Sequence, residues 1–157
     1  MRLTPSYSFE KRNWTVLSLL LLLFLAPLSV PAQGTTDDLD MREANVVAVS
    51  FERSGGTYRF DVTLVHDDEG EAGYADWWQV ETLDGTRLGR RTLLHAHSNA
   101  PFTRSERITL PEGIQRVIVR GHDQTHGYGG QAMVVDIVSG QTEVVRQGPE
   151  RSDLSER

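Results

Sequence analysis

TYRFDVTLVH, Thr57 to His66, decides the fold class. Tyr58, Phe60, Val62 and Leu64 alternate with Arg59, Asp61 and Thr63, so an extended chain puts the four apolar side chains on one face and the polar ones on the other. The segment predicts a half-buried β-strand. RSGG (53–56) turns the chain back into a preceding strand at about Ala44 to Glu52, where Val47, Val49 and Phe51 share a face.

The same pattern continues downstream. A third strand is predicted over Ala75–Leu83, with Trp78 and Val80 toward the core and Trp77 on the polar side with Gln79 and Glu81. Asp84-Gly85 is a hairpin signal leading to a fourth strand, Arg87–His97. Further strands follow at Arg104–Leu110, Ile114–Gly121 and Ala132–Val138, and a short one is considered at Thr142–Val145. This predicts an all-β domain, a seven-stranded antiparallel sandwich of immunoglobulin or fibronectin type III kind, spanning 44–138. Its expected core includes Phe60, Val62, Leu64, Trp78, Val80, Val117, Val119 and Val135. Residues 33–43 read as a disordered lead-in and 139–157 as a mostly disordered tail.

Residues 1–32 differ in kind. Lys11 and Arg12 precede an apolar run from Val16 to Leu25 and a Val30-Pro31-Ala32 exit, the layout of a secretory signal peptide cut before Gln33. The apolar part is shorter than the roughly 20 residues of a spanning helix, which favours cleavage over the alternative of an uncleaved anchor. The expectation is an exported protein, periplasmic or extracellular, with no membrane association after cleavage. Without a cysteine the chain has no disulfide, thiolate metal site, cysteine nucleophile or lipid-bearing thiol. Loss of the leader leaves 13 basic against 21 acidic residues, a net charge of −8. Nucleic acid is a poor partner for such a chain, because its binding depends on neutralising phosphates.

All five histidines sit in three segments: His66 in LVHDDEG, His95 and His97 in LLHAHSN, and His122 and His126 in RGHDQTHGYGG. These fall at the ends of the second, fourth and sixth strands, which share one pole if each successive connection reverses direction. His95 and His97, two apart on a strand, project from one face and suit chelation of a single ion. Asp123 is a candidate ligand or an acceptor that fixes a ring tautomer. The set His66, His95, His97, His122, His126 and Asp123 therefore predicts a site for zinc or copper, metals that accept neutral imidazole. A hydrogen-bonded structural network is the competing use of the same histidines. The acids of DDEGE lack the EF-hand spacing, so calcium is not expected.

The chain has no nucleophile elbow, P-loop or dinucleotide fingerprint, and a binding protein is expected rather than an enzyme. It resembles the superoxide reductases in placing HDDEG before an aromatic strand and HDQTHGYGG before a late one. Those are sandwich domains with iron held by histidines and a cysteine. Lacking the cysteine, this chain takes only the architecture from the resemblance. A second reading is a recognition module for a protein or glycan, with Trp77, Tyr74 and Tyr128 as an aromatic platform. Arg87, Arg90 and Arg91 form a small basic patch suited to a solvated surface or to an anion.

Overall fold

Two antiparallel sheets face each other across an apolar core in the computed structural model, which describes residues 38–68, 70–97, 100–128, 130–146 and 154–155. The strands are β1 (Asn45–Ser54), β2 (Thr57–Val65), β3 (Ala75–Glu81), β4 (Arg87–Thr92), β5 (Phe102–Thr109), β6 (Arg116–Asp123), β7 (Gly127–Tyr128), β8 (Gln131–Asp136) and β9 (Thr142–Arg146). One sheet has the order β1-β2-β5; the other runs β4-β3-β6-β8-β9, with the two-residue β7 paired to β6. The leader and its cleavage point lie outside the described residues.

The alternation in β2 is expressed in its burial. Tyr58, Phe60, Val62 and Leu64 are all buried, and they pack against Trp78 and Val80 of β3, Val117 and Val119 of β6, and Met133 and Val135 of β8. All eight residues expected in the core are there. The β1–β2 hairpin pairs Phe51 with Phe60 and turns at Gly55, whose φ of 63° explains the glycine.

Connectivity departs from a simple succession of neighbours. β2 pairs with β5 and β3 with β6, so the chain changes sheet between β2 and β3 and again between β4 and β5 and between β5 and β6. The chain approaches closely at Gly121 of β6, where a Cβ atom would lie 2.1 Å from the Ala44 carbonyl oxygen just before β1. That obstacle is backbone, which cannot swing aside. Gly121→Ala is therefore expected to destabilise by about 1–3 kcal/mol through forced separation of β1 and β6; an unchanged urea midpoint would contradict it.

Three sequence expectations are revised. The strand count rises to nine among the described residues, through β7 and β9. β9 carries the sheet past Val138 because Val144 and Val145 continue an apolar alternation: Val144 packs on the core and Val145 on the outer face. Leu154 is buried there too, against Ile118, Ala132, Val134 and Val145, and its N–H donates to the Leu83 carbonyl at 3.2 Å. The end of the lead-in is also packed, since Asp67 N–H donates to the Met41 carbonyl at 2.7 Å and Asn45 Nδ2 donates to the Asp40 carbonyl at 2.8 Å.

β4 is shorter than expected, ending at Thr92. β3 shifts register against β6 between Ala75 and Trp77, and its last contact with the β4 segment is the Leu93 N–H donated to the Asp76 carbonyl at 2.8 Å. Beyond that point the β4 segment has no pairing partner among the described residues. His95 and His97 consequently lie in the loop after β4 rather than on a strand face.

Candidate functional site

The end of β2, the loop after β4, the β6–β7 turn and the lead-in meet at one pole. His66 is at its centre, with its side chain only 3% exposed. Its Nδ1 lies 2.5 Å from Asp68 Oδ1, and its Nε2 lies 3.0 Å from the Arg42 carbonyl and 3.1 Å from Asp123 Oδ2. Oxygen atoms thus face both ring nitrogens, and neither points into open space.

Asp68 ties the surrounding loops together. Besides His66, its buried carboxylate accepts the Ala75 N–H at 3.1 Å and the His97 N–H. Asp123 plays a similar part in the β6–β7 turn, where Oδ1 accepts the N–H groups of Thr125 at 2.8 Å and His126 at 2.6 Å, with His126 Nδ1 at 3.0 Å. This is the Asx-type turn that a short acceptor side chain favours. A cleft of about 200 Å³ lined by Arg42, His66, Asp67, Gly73, Asp123, Thr125 and His126 opens beside the pair.

His97 is the anomaly of the pole. Its side chain is 6% exposed, it stacks on Phe102 with centroids 3.8 Å apart and planes 5° from parallel, and both ring nitrogens are buried with no hydrogen-bond partner among the described residues. The nearest charge, Asp68 Oδ2, is 3.6 Å from Nδ1, too far for a hydrogen bond. Burial pushes the His97 pKa below the ordinary histidine range, and the Arg104 and His95 charges add to this while Asp68 opposes it. The ring is therefore neutral at neutral pH. His95 lies beside it at 4.8 Å between centroids, and its Nδ1 is 3.0 Å from the Ala96 carbonyl. A carbonyl only accepts, so Nδ1 carries the proton and the Nε2 lone pair is left available.

His122 belongs to a separate arrangement on the outer face of the larger sheet. Its Nδ1 is 2.6 Å from Asp76 Oδ1, and its ring stacks on Trp77 at 4.1 Å and 14°. The Arg90 guanidinium lies 3.7 Å over the same indole, and Tyr128 meets it edge-on at 5.4 Å. Trp77 is thereby 8% exposed and does not form the open platform of the recognition-module reading. Cross-strand neighbours on three strands cover it, which adjacency in sequence does not reveal.

The structure thus brings His66, His97, His126, Asp68 and Asp123 to one pole and sets the His122–Asp76 pair against Trp77. Among the described residues no three histidine, aspartate or glutamate side chains converge as a preformed metal cage. Sequence reasoning missed the roles of Asp68, Asp76 and the Arg42 carbonyl. The signal for Asp68 was its place two residues after His66, at the close of an apolar strand, where a carboxylate turns back onto the ring.

No family model matches the chain. A protein of Halomicrobium mukohataei described as "Putative lipoprotein" is 67% identical over 122 residues, which is 77% of this chain and 61% of that protein. The chain therefore spans less than two thirds of its relative's length. Among solved structures, it is similar to a hypothetical protein from Pyrococcus horikoshii OT3, with a TM-score of 0.41 and 12% identity over 74% of this chain and 94% of the other. It is also similar to a superoxide reductase from Giardia intestinalis, with a TM-score of 0.37 and 13% identity over 67% and 99%. A superoxide reductase in the oxidised state gives a TM-score of 0.41 and 15% identity over 73% and 93%. Likenesses at these scores carry no argument about ligands or activity.

Proposed function

We propose that this is an exported sandwich protein that binds a transition ion, zinc or copper, at the histidine pole through His95 and His97. The observation that carries the reading is His97: a buried neutral imidazole with two unpartnered nitrogens, beside a second imidazole with a free lone pair. Buried polar atoms rarely go unpaired without a reason, and imidazole nitrogen is a ligand that both metals accept. His66 is the least suited of the candidates, because oxygen atoms face both its nitrogens. His126 and Asp123 are a second pair at the same pole, where Asp123 Oδ2 is buried without a hydrogen bond.

Export rests on the leader pattern of residues 1–32 and is supported by the lipoprotein description of the relative. The immunoglobulin or fibronectin type III assignment is supported by the β1-β2-β5 sheet opposite the β4-β3-β6-β8 path. Should a protein or glycan be the partner instead, the surface on offer is the outer row of Arg90, His122 and Tyr128 around Trp77.

Calorimetric titration of metal-free protein with zinc and with copper at about pH 7.5 tests the reading. Saturable binding at micromolar concentrations is expected, abolished by replacing His95 and His97 together with alanine. Arg104 opposes a bound cation by its charge, so Arg104→Gln should tighten binding several-fold. Affinity should fall on acidification, with the His97 contribution persisting below the ordinary histidine range because its pKa is depressed. Binding that survives the double histidine replacement, or no binding, refutes the assignment.

Linkage gives the same residue a signature without metal. A histidine held neutral by the fold supports stability fully above its unfolded pKa of about 6.5 and loses that support as pH falls toward its folded value. Stability should therefore decline as pH falls below about 6.5, less steeply in His97→Gln. Parallel pH profiles for the two proteins would contradict a depressed His97.

A further inference from the structure

We propose that a cleft at the β4–β5 edge binds a tetrahedral oxyanion of the phosphate or sulfate class. The cleft has a volume of about 280 Å³ and is lined by Arg59, Arg91, Ser105, Glu106 and Arg107. It belongs to a chain whose net charge is −6. Three arginines and a single glutamate in one lining run against that overall balance.

The register makes the concentration of charge unfavourable unless something answers it. Arg59 and Arg107 stand directly opposite each other across the β2–β5 ladder, and like charges in that position repel. Arg59 is answered in part: its Nη2 lies 2.9 Å from Asp61 Oδ1 and donates to Ser105 Oγ at 3.0 Å. The Ser105 hydroxyl in turn donates to Asp61, so Ser105 orients Arg59 and offers no proton to a ligand. Arg107 uses only its backbone N–H on Glu106, at 3.0 Å, and among the described residues no carboxylate is within ion-pair distance of its guanidinium.

Arg91 supplies the second, independent observation. It reaches in from β4 with Nη1 3.7 Å from Glu106 Oε2, a loose pairing, while its Nε is buried with no hydrogen-bond partner. A buried donor without an acceptor is uncommon and points to a group that would accept from it. A cation is repelled by this lining, and a neutral ligand would leave the Arg107 charge unanswered. A dianion with several equivalent oxygens matches planar, forked guanidinium donors arriving from two sheets. Glu106 is the one lining group that opposes it, and its loose grip on Arg91 allows the guanidinium to turn toward the anion.

Titration of the full chain with inorganic sulfate and inorganic phosphate, followed by backbone amide NMR shifts at low ionic strength, tests the proposal. Saturable shifts should centre on residues 59, 91 and 105–107 for both anions, whereas chloride at matched ionic strength should give only uniform, non-saturating changes. Arg107→Gln and Arg91→Gln should each weaken binding about tenfold, the loss of one charge-assisted contact. Arg53→Gln, outside the cleft, should leave it unchanged. A sulfated disaccharide binding more than about tenfold tighter than inorganic sulfate would identify the natural source as an ester group on a larger molecule, and equal affinity would identify the free ion. Replacing His95 and His97 should not alter oxyanion binding, which separates this site from the metal reading. Shifts that track ionic strength alone, or equal affinities in the two arginine variants and the parent, would overturn the proposal.

Discussion

Glu81→Ala is expected to lower stability by about 3–5 kcal/mol, more than removal of both charges from the same pair. Glu81 and Arg120 are each fully buried on the outer face of the larger sheet, with Arg120 Nε donating to Glu81 Oε2 at 3.0 Å. The other carboxylate oxygen accepts from Gln79 Nε2, and Gln79 Oε1 accepts from Arg90 at 2.9 and 2.6 Å. Removing Glu81 takes the Nε acceptor from a fully buried guanidinium and frees Gln79 to rotate away from Arg90. Loss of the pair's mutual attraction is the smaller part of the effect; desolvation of the remaining charge is the larger. The double replacement Glu81→Leu with Arg120→Met removes both buried charges together and should recover most of the loss. Urea denaturation of the two single variants and the double decides it: a double variant no better than the sum of the singles would mean that the charges are not coupled.

The sequence reveals strands where one face is apolar and the other polar. β2 is read correctly because every second residue from Tyr58 to Leu64 enters the core. The outer face of the larger sheet was hidden for the opposite reason. Gln79, Glu81 and Arg120 are polar and read as solvated, yet they are buried through their mutual hydrogen bonds. Leu154 completes that face from far along the chain, a contact between residues that no local periodicity can signal. Pairing order was equally out of reach, since hydrophobic alternation assigns faces and leaves the choice between neighbouring and crossing strands open.

At the pole, residue identity was legible and geometry was not. Five histidines in three segments indicated a polar end, and His66, His97 and His126 do lie around the Asp68 and Asp123 carboxylates. The same-face argument for His95 and His97 assumed that β4 continued, but its pairing with β3 ends at Thr92, opposite Trp77. Their rings nevertheless meet, through stacking of His97 on Phe102 and of His95 against His97. His122 escaped the cluster because it is a paired residue of β6, directly opposite Trp77, and an aromatic neighbour claimed its ring.

The adjacent tryptophans test the two faces against each other. Trp78 is fully buried among the apolar residues of the core, so Trp78→Ala removes a large side chain from surroundings that cannot collapse completely, at an expected loss of about 3–5 kcal/mol. Its indole N–H has no hydrogen-bond partner, so Trp78→Phe sheds an unpaired donor and should recover part of that loss. A Trp77 solvated with its polar neighbours would be nearly dispensable. The structure instead wedges it between the Arg90 guanidinium and the His122 ring. Trp77→Ala should then lose a cation–π contact and an aromatic stack, about 2 kcal/mol in all. The remaining partners are polar and half-exposed and can take up water, which keeps the effect below that of Trp78. Thermal melts of the three variants check the ordering. A Trp77→Ala protein as stable as the parent would return Trp77 to the solvated face, and one as damaged as Trp78→Ala would make the outer row a second core.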